Sequence, residues 1–253
     1  MKKVLTIAGS DSSGGAGIQT DLKTFAAIGV YGMSAITAIT AQNTMGVKRV
    51  ERVSAQMVKD QIRAVFEDIE VDAVKIGMLA EIDIIEAVRD CLEMYRPKFV
   101  VLDPVMVSTS GFDLLNSQAK RALVDGLIPL VDLITPNLAE AACLLSIFGS
   151  GGLEIDSVEK MEEAGRIIIA HTGTNILVKG GHLLDRPSDV LVTTSGQVYH
   201  YDNPRINTKN THGTGCTLSS AIGANAALGY DLAESVSRAK DFISKAIENS
   251  LDI

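Results

Sequence analysis

The chain has 253 residues, of which 46% are hydrophobic, and its formal net charge at pH 7 is −8. This acidic balance argues against a general nucleic-acid binder, because neutralising phosphate groups requires a basic surface. No apolar run approaches the roughly 18 residues of a membrane span, so we expect a soluble, cytoplasmic protein with no membrane partner.

Short apolar runs alternate with amphipathic segments from the start of the chain. KVLTIA predicts a buried strand, residues 16–28 predict a helix, and MSAITAIT predicts the next strand. Ser54 is placed to cap a second helix, whose apolar side chains recur at helical spacing. DAVKIG and KFVVLDP predict two more strands, with an amphipathic helix between them. This alternation is typical of a parallel sheet whose strands are connected by helices.

The second half of the chain continues the pattern and adds a hairpin. DLITPN predicts a strand, and Asn137 at its end is placed to cap a helix through LAEAACLL. NILVKGG predicts a further strand, and DVLVTT and QVYHY flank Ser195-Gly196, a pair typical of a hairpin turn. Residues 214–228 and 232–249 predict two closing helices.

Together these elements predict one α/β domain over residues 1–253, with a mostly parallel sheet covered on both faces and an antiparallel edge. Ligands of such sheets bind just outside the carboxyl ends of the strands. Cys91, Cys143 and Cys216 form no C-x-x-C pair, so the sequence indicates neither a zinc site nor a disulfide framework.

The first glycine-rich loop, in IAGSDSSGGAGIQTD at residues 7–21, does not match a phosphate-binding motif. Counted from Gly9, the spacing fits a P-loop, but Gly15 stands where the lysine is required. Counted from Gly15, Thr20 replaces the third glycine of the dinucleotide fingerprint. The carboxylates in and beside the loop repel phosphate. Two interpretations remain: the loop seats an acceptor molecule, or it only turns into a helix with Asp21 as a solvated first-turn acid.

A second glycine-rich segment, in NTHGTGCTLSSAIGANAALG, predicts a phosphate site. Gly213, Thr214, Gly215 and Cys216 open a helix of small residues, where successive backbone N–H groups and the helix dipole form an anion hole. A thiol in the first turn of a helix can have its pKa lowered to roughly 3.5–7.5, which suits a general base. The alternative is that Cys216 is a small buried residue at the start of a helix.

These motifs together resemble a known enzyme family. THGTGCTLSSAI and LTIAGSDSSGGAGIQTDLKTF, with AITAQNT, VKIGMLA, VVLDPVMVSTSG, ITPNLAEA and VKGGH, are similar to the hydroxymethylpyrimidine kinase/phosphomethylpyrimidine kinase family of thiamine biosynthesis, within the ribokinase-like superfamily. The resemblance spans essentially the whole chain. It implies a three-layer α/β/α sandwich, a homodimer, ATP and Mg²⁺, and two successive phosphorylations of one small pyrimidine.

The resemblance also implies roles for individual residues. Many superfamily members carry aspartate where Cys216 stands, and cysteine is what the pyrimidine-kinase branch carries. Asn137 and Glu140 match the Mg²⁺/phosphate motif, with Glu140 acting through water, and Lys179 and Thr211 would lie near the ATP phosphates. The residues implied to line the pyrimidine pocket are Gly9, Asp21, Gln42, Met78, Val105 and Cys216.

For several of these positions, a purely structural role without a ligand is the alternative. Judged alone, Met78 is ordinary core, Gln42 caps a turn, and Glu140 is a solvated helix residue. His212 beside the anion hole has a hydrogen-bonded structural role as an equal alternative. At the level of function, the alternatives are a pyridoxal or pyridoxine kinase with the same motifs and a non-catalytic ligand-binding homologue. An NAD-dependent oxidoreductase is excluded by Thr20, and the Gln-Asn-Thr triplet from Gln42 favours the pyrimidine branch.

Overall fold

In the computed structural model, strands and helices alternate along most of the chain, as the sequence predicts. The structure describes residues 1–106, 115–181, 187–202, 206, 208 and 210–250. The strands are β1 (Lys3–Asp11), β2 (Tyr31–Asn43), β3 (Gly46–Arg52), β4 (Ala73–Ile76), β5 (Val100–Leu102), β6 (Leu133–Ile134), β7 (Asn175–Gly180), β8 (Ser188–Val192) and β9 (Val198–Asp202). The helices are α1 (Gly17–Ile28), α2 (Ala55–Asp68), α3 (Ile82–Tyr95), α4 (Ser117–Ala122), α5 (Leu138–Ile147), α6 (Val158–Thr172), α7 (Thr214–Leu228) and α8 (Leu232–Glu248). None of the helices in these segments has the length and apolarity of a membrane span.

Within the described residues, nine strands form one sheet in the order β3-β2-β1-β4-β5-β6-β7-β8-β9. The pairs from β2 to β7 are parallel, and both edges are antiparallel. The predicted fold class and the predicted hairpin of β8 and β9 are therefore confirmed. The strand β3, which pairs antiparallel with β2, is an element that the sequence pattern missed.

Alternate residues of the central strands face opposite sides of the sheet and pack against different helices. Leu5 and Ile7 of β1 join a large apolar cluster that includes side chains of α2 to α6. Val4 of the same strand packs with Phe25 of α1 and Ala224 of α7 on the other face. Helices thus cover the sheet on both sides, which is why its central strands are continuously apolar.

The carboxyl ends of the parallel strands gather at one edge of the sheet. Asp11 ends β1, Met78 follows β4 after one glycine, and Asp103 directly follows β5. Asn137 follows β6, and Lys179 is the penultimate residue of β7. Because α7 begins at the same edge, the fold brings both glycine-rich segments together there.

Candidate active site

Asp11 organises the first glycine-rich loop. Its side chain is buried and accepts hydrogen bonds from the backbone N–H groups of Ser13 and Ala16, each at 2.8 Å. Burial raises the pKa of Asp11, but the hydrogen bonds from His212 and Ser13 outweigh this effect and hold the pKa below its ordinary value. His212 Nε2 lies 3.0 Å from Asp11 Oδ2, so the loop is also tied to the residues before α7.

The two glycine-rich segments are in direct contact through backbone positions where only glycine fits. Gly213 has φ +77°, and a Cβ there would overlap the carbonyl oxygen of Gly15. Gly17 has φ +57°, and a Cβ there would overlap the carbonyl oxygen of Gly9. Both residues combine a left-handed conformation with a close approach of backbone. The first loop and the start of α7 therefore form one continuous surface.

Asp21 is completely buried beneath this surface, 0% exposed, so the interpretation as a solvated acid is wrong. Lys75 Nζ donates to both of its carboxylate oxygens at 2.9 Å. The hydroxyl of Thr6 donates to Oδ2 at 2.6 Å and the hydroxyl of Ser220 to Oδ1 at 2.7 Å. These contacts match the roughly four lone-pair positions of a carboxylate. As placed, Asp21 offers no oxygen to an acceptor molecule.

Lys75 carries a buried positive charge in the middle of the site. Burial lowers its pKa, but the charges of Asp21, Cys216 and Asp103 outweigh this effect, so the pKa is raised above its ordinary value. Lys75 therefore carries its positive charge near neutral pH. Sequence reasoning missed this residue, although a lysine inside the apolar run DAVKIG is itself a signal, because a buried charge requires a partner.

The thiol of Cys216 lies in the first turn of α7, half-buried. Burial raises its pKa above the ordinary value. Lys75 and a hydrogen bond from the backbone of Gly17 act in the opposite direction, whereas Asp21 and Asp103 add to the rise. The expectation of a lowered thiol pKa is therefore wrong for the protein alone, because desolvation and two nearby carboxylates exceed the effect of the helix start.

A second ion pair borders the start of α7. Lys179 Nζ donates to Asp103 Oδ1 at 2.8 Å, and the hydroxyl of Thr135 donates to the same oxygen at 3.1 Å. A Cβ at Gly215 would lie only 3.2 Å from Lys179 Nζ and 3.4 Å from Asp103 Oδ2. Burial lowers the pKa of Lys179, but the charges of Asp103 and Glu140 raise it by more than this, so the pKa lies above its ordinary value and the side chain stays charged. An ammonium thus stands beside the backbone N–H groups that open α7.

Asn137 and Glu140 form a capping box at the start of α5. Asn137 Oδ1 accepts from the backbone N–H of Glu140, and Glu140 Oε2 accepts from that of Asn137, both at 2.9 Å. Glu140 is buried, so the solvated interpretation is wrong. Burial raises its pKa to about 7; Lys179 acts against this rise and Asp103 adds to it.

The acidic residues of the site fit a hydrated divalent cation. Within the described ranges, no group of three or more His, Cys, Asp or Glu side chains is placed to hold a metal ion. Mg²⁺ takes one or two carboxylates, keeps several waters, and fills its shell with substrate phosphates. Glu140 and Asp103 are the carboxylates that would hold such an ion.

The remaining residues expected in the site lie around the same surface. A Cβ at Gly9 would lie 2.6 Å from Cε of Met78, so these two residues are in contact. Gln42 Nε2 lies 3.3 Å from His212 Nε2, and Val105 is half-buried after β5. The exposed Thr211 accepts from the backbone N–H and the hydroxyl of Thr214 at 3.3 and 2.9 Å. Residues 107–111 of VVLDPVMVSTSG and His182 of VKGGH lie outside the described residues.

A helix start with a lysine and a buried acid beside it, at the carboxyl edge of a mostly parallel sheet, is an arrangement suited to phosphoryl transfer in an α/β protein. The family model for phosphomethylpyrimidine kinase matches residues 11–253. The chain belongs to the phosphomethylpyrimidine kinase family, and the protein is a kinase.

Individual relatives agree with this assignment. The hydroxymethylpyrimidine/phosphomethylpyrimidine kinase of Escherichia coli (strain K12) is 49% identical over 250 residues, which are 98% of this chain and 92% of the relative. The crystal structure of phosphomethylpyrimidine kinase from Clostridium difficile 630 has a TM-score of 0.85 at 48% identity, covering 98% of this chain and 100% of that chain. The ADP complex of Bacillus subtilis pyridoxal kinase has a TM-score of 0.89 at 38% identity, covering 100% of this chain and 94% of that chain.

Proposed function

We propose that the protein uses ATP to phosphorylate 4-amino-5-hydroxymethyl-2-methylpyrimidine to its monophosphate and then to its diphosphate, in thiamine diphosphate biosynthesis. Residues 1–253 act as one kinase domain, and its partners are small molecules rather than nucleic acid or a membrane. The observation that carries the proposal is the start of α7, where backbone N–H groups and Cys216 lie between the first glycine-rich loop and Lys179.

The phosphoryl group transfers at the start of α7. The backbone N–H groups of Gly213, Gly215 and Cys216 would face the equatorial oxygens of that group, and Lys179 adds a positive charge beside them. The N–H of Thr214, which donates to the carbonyl oxygen of Thr211, would join them on exchanging this partner for the phosphoryl group. Asn137 and Thr211 border the ATP phosphates. Mg²⁺, held through water by Glu140, would neutralise charge on the terminal phosphates. Because the transition state of phosphoryl transfer is loose, positioning and charge stabilisation contribute more than base strength.

The acceptor ring occupies the surface over the first glycine-rich loop. Gly9 brings backbone close to the flat ring, Met78 and Val105 supply apolar walls, and Gln42 hydrogen-bonds the ring edge. The hydroxymethyl group faces Cys216, which guides the hydroxyl proton during the first transfer. Asp21 lies beneath this surface and contacts α7 through the hydroxyl of Ser220.

ADP release with separate acceptors tests the proposal. Hydroxymethylpyrimidine, its monophosphate, pyridoxal and pyridoxine are each supplied with ATP and Mg²⁺, and each rate is compared with the rate without acceptor. We expect release with both pyrimidines. Release with the pyridines alone would transfer the assignment to pyridoxal kinase. This chain is also similar to a structure with that name, the pyridoxal kinase of Bacillus subtilis. No release with any acceptor would leave a non-catalytic homologue.

We also propose that the protein is a cytoplasmic homodimer. Ile39 of β2 is 56% exposed and Met45 in the adjoining turn is 87% exposed, which is a large exposure for apolar side chains at one edge of the sheet. Light scattering after size exclusion should give twice the mass of the chain. An I39E/M45E variant should elute as a monomer, and a monomeric wild-type protein would contradict the proposal.

A further inference from the structure

The helices α1 and α7 touch at two levels that are one helical turn apart. At the first level, the backbone of Gly17 lies close enough to the thiol of Cys216 to favour its thiolate, within the packing of α1 on α7. At the second level, the hydroxyl of Ser220 donates to Asp21 Oδ1 at 2.7 Å. Both pairs are separated by four residues along their own helix, from 17 to 21 and from 216 to 220. Because residues four apart lie on the same face of a helix, the two contacts lie one turn apart along the facing sides of α1 and α7.

The second contact is fixed to the sheet through Asp21, its residue on α1. Asp21 is held by Lys75 of β4 and by Thr6 of β1, both in the centre of the sheet. Asp21, Lys75 and Ser220 are each 0% exposed, so water does not substitute for any of these bonds. Among the hydrogen bonds of the described residues, the bond from Ser220 is the one that connects this network to α7.

A buried ion pair is weak support for stability, because desolvation offsets most of the attraction between the charges. Its geometric effect is different. Lys75 donates to both carboxylate oxygens and so holds Asp21 in one orientation, from which Asp21 accepts from Ser220 in one position. The packing of the buried residues of α7 holds the helix on the sheet, and the hydrogen bond from Ser220 adds a directional constraint on its second turn, on the same face as Cys216.

We propose that Ser220 is a positioning residue, which is held by the Asp21–Lys75 pair and fixes the rotation of α7, so that Cys216 and the neighbouring backbone N–H groups face the first glycine-rich loop. This inference rests on the proposed function, because it describes how the acceptor side of the site is kept in register with the phosphate side. In this arrangement Asp21 acts on the reaction through α7 and not by contact with the acceptor ring.

Two variants separate this positioning role from simple stabilisation. S220A removes the hydroxyl that links Asp21 to α7. T6V removes another buried hydroxyl that donates to the same carboxylate, but from β1, and so leaves α7 linked. Both variants lose one hydrogen bond to Asp21, and chemical unfolding should show a similar loss of stability in each.

The readouts are the steady-state rates and the reactivity of Cys216. In S220A we expect kcat with hydroxymethylpyrimidine to fall about tenfold or more, since small misplacements in a site have large effects on rate. Alkylation by iodoacetamide, followed at the Cys216 peptide by mass spectrometry, should shift its pH profile upward in S220A. The charged groups that face this thiol are Lys75, Lys179, Asp21 and Asp103. The substitution replaces none of them, so the shift reports the lost approach of Gly17. T6V should keep both the wild-type kcat and the wild-type profile.

Equal behaviour of the two variants, whether both change or neither does, would overturn the positioning role. The alkylation profile does not depend on which acceptor the enzyme uses. If the wild-type protein released no ADP with any acceptor, the proposed function would fail, while the alkylation of Cys216 would still decide whether Ser220 positions α7.

Discussion

At the scale of single residues, Cys216 is surrounded by charges of both signs. Lys75 favours the thiolate, and Asp21 and Asp103 disfavour it, on top of a desolvation effect that raises the pKa of the thiol. The protein alone therefore holds the thiol protonated near neutral pH. A protonated thiol can still orient the acceptor hydroxyl, which is sufficient for a transition state in which bond formation to the nucleophile has barely begun.

The first prediction is that the Cys216 thiol titrates above the ordinary value of a cysteine, roughly 8.5. Burial disfavours the charged form, so the pKa moves up. The thiolate absorbance near 240 nm, taken as the difference between wild type and C216S across a pH series, measures it directly. A transition between pH 5 and 7 would contradict the direction that the site predicts.

The second prediction separates the two proposed phosphorylations. C216A should slow the first step by about 10²-fold or more, a typical effect of losing a group that manages a proton. The second step should lose less than about tenfold, because a phosphate monoester with a second pKa near 6 is already largely ionised. Single-turnover rates with the alcohol and with the monophosphate give the two values. Equal losses in both steps would exclude a role of the thiol in handling the proton.

The residues of the site differ in how far the sequence predicts them. Gly213 to Cys216 stand in a local pattern whose chemistry can be recognised without a structure, whereas Lys179 is found through the resemblance of VKGGH to the family. Lys75 does not stand in such a pattern, because its partner Asp21 is 54 residues away and is chosen by the packing of α1 on β1, the neighbour of β4 in the sheet. The same applies to Ser220, whose hydroxyl is ordinary in a helix of small residues until α1 is placed beside it.

At the scale of elements, several of the candidate site residues lie at the first residues of helices. The capping box of Asn137 and Glu140 begins α5, and the left-handed Gly213 begins α7. The sequence predicts both helices because their capping residues are local signals. It misses β3, since a bulge places Lys48 between Val47 and Arg49 without a partner of its own, and the alternation of apolar residues in GVKRVER is lost.

The third prediction uses two glycines with similar backbone conformations. Gly173 ends α6 with φ +68° and has nothing within 4 Å of an added Cβ, whereas Gly213 has φ +77° and meets the carbonyl oxygen of Gly15. G173A should cost about 1–2 kcal/mol of unfolding free energy, the penalty of a left-handed alanine. G213A should cost about 1–3 kcal/mol more, as expected from overpacking, and should abolish most of the ADP release. Urea unfolding and initial rates measure the two effects, and equal costs would mean that the two glycine-rich segments do not need their close contact.

At the scale of the whole molecule, the site depends on contacts between the ends of the chain. Asp11 and His212 are separated by 201 residues and meet because β1 lies at the centre of the sheet and α7 packs beside it. Local patterns predict the strands and their parallel arrangement. They do not predict the strand order or this contact, since both follow from how the layers pack.

The fourth prediction concerns the acid stability that this contact provides. The pKa of Asp11 is lowered: burial raises it, and the hydrogen bonds from His212 and Ser13 more than compensate. A carboxyl group with a lowered pKa in the folded state adds stability that is fully present above its unfolded value, 3.8, and is lost as the pH falls through the folded value. The difference in unfolding free energy between wild type and D11N should therefore be larger at pH 5 than at pH 3, and should shrink as the pH falls below about 4. Urea unfolding at matched pH values gives both curves, with pH 5 as the internal reference. A difference that stayed constant down to pH 3, or that grew in acid, would mean that the charge of Asp11 contributes nothing to holding the two ends of the chain together.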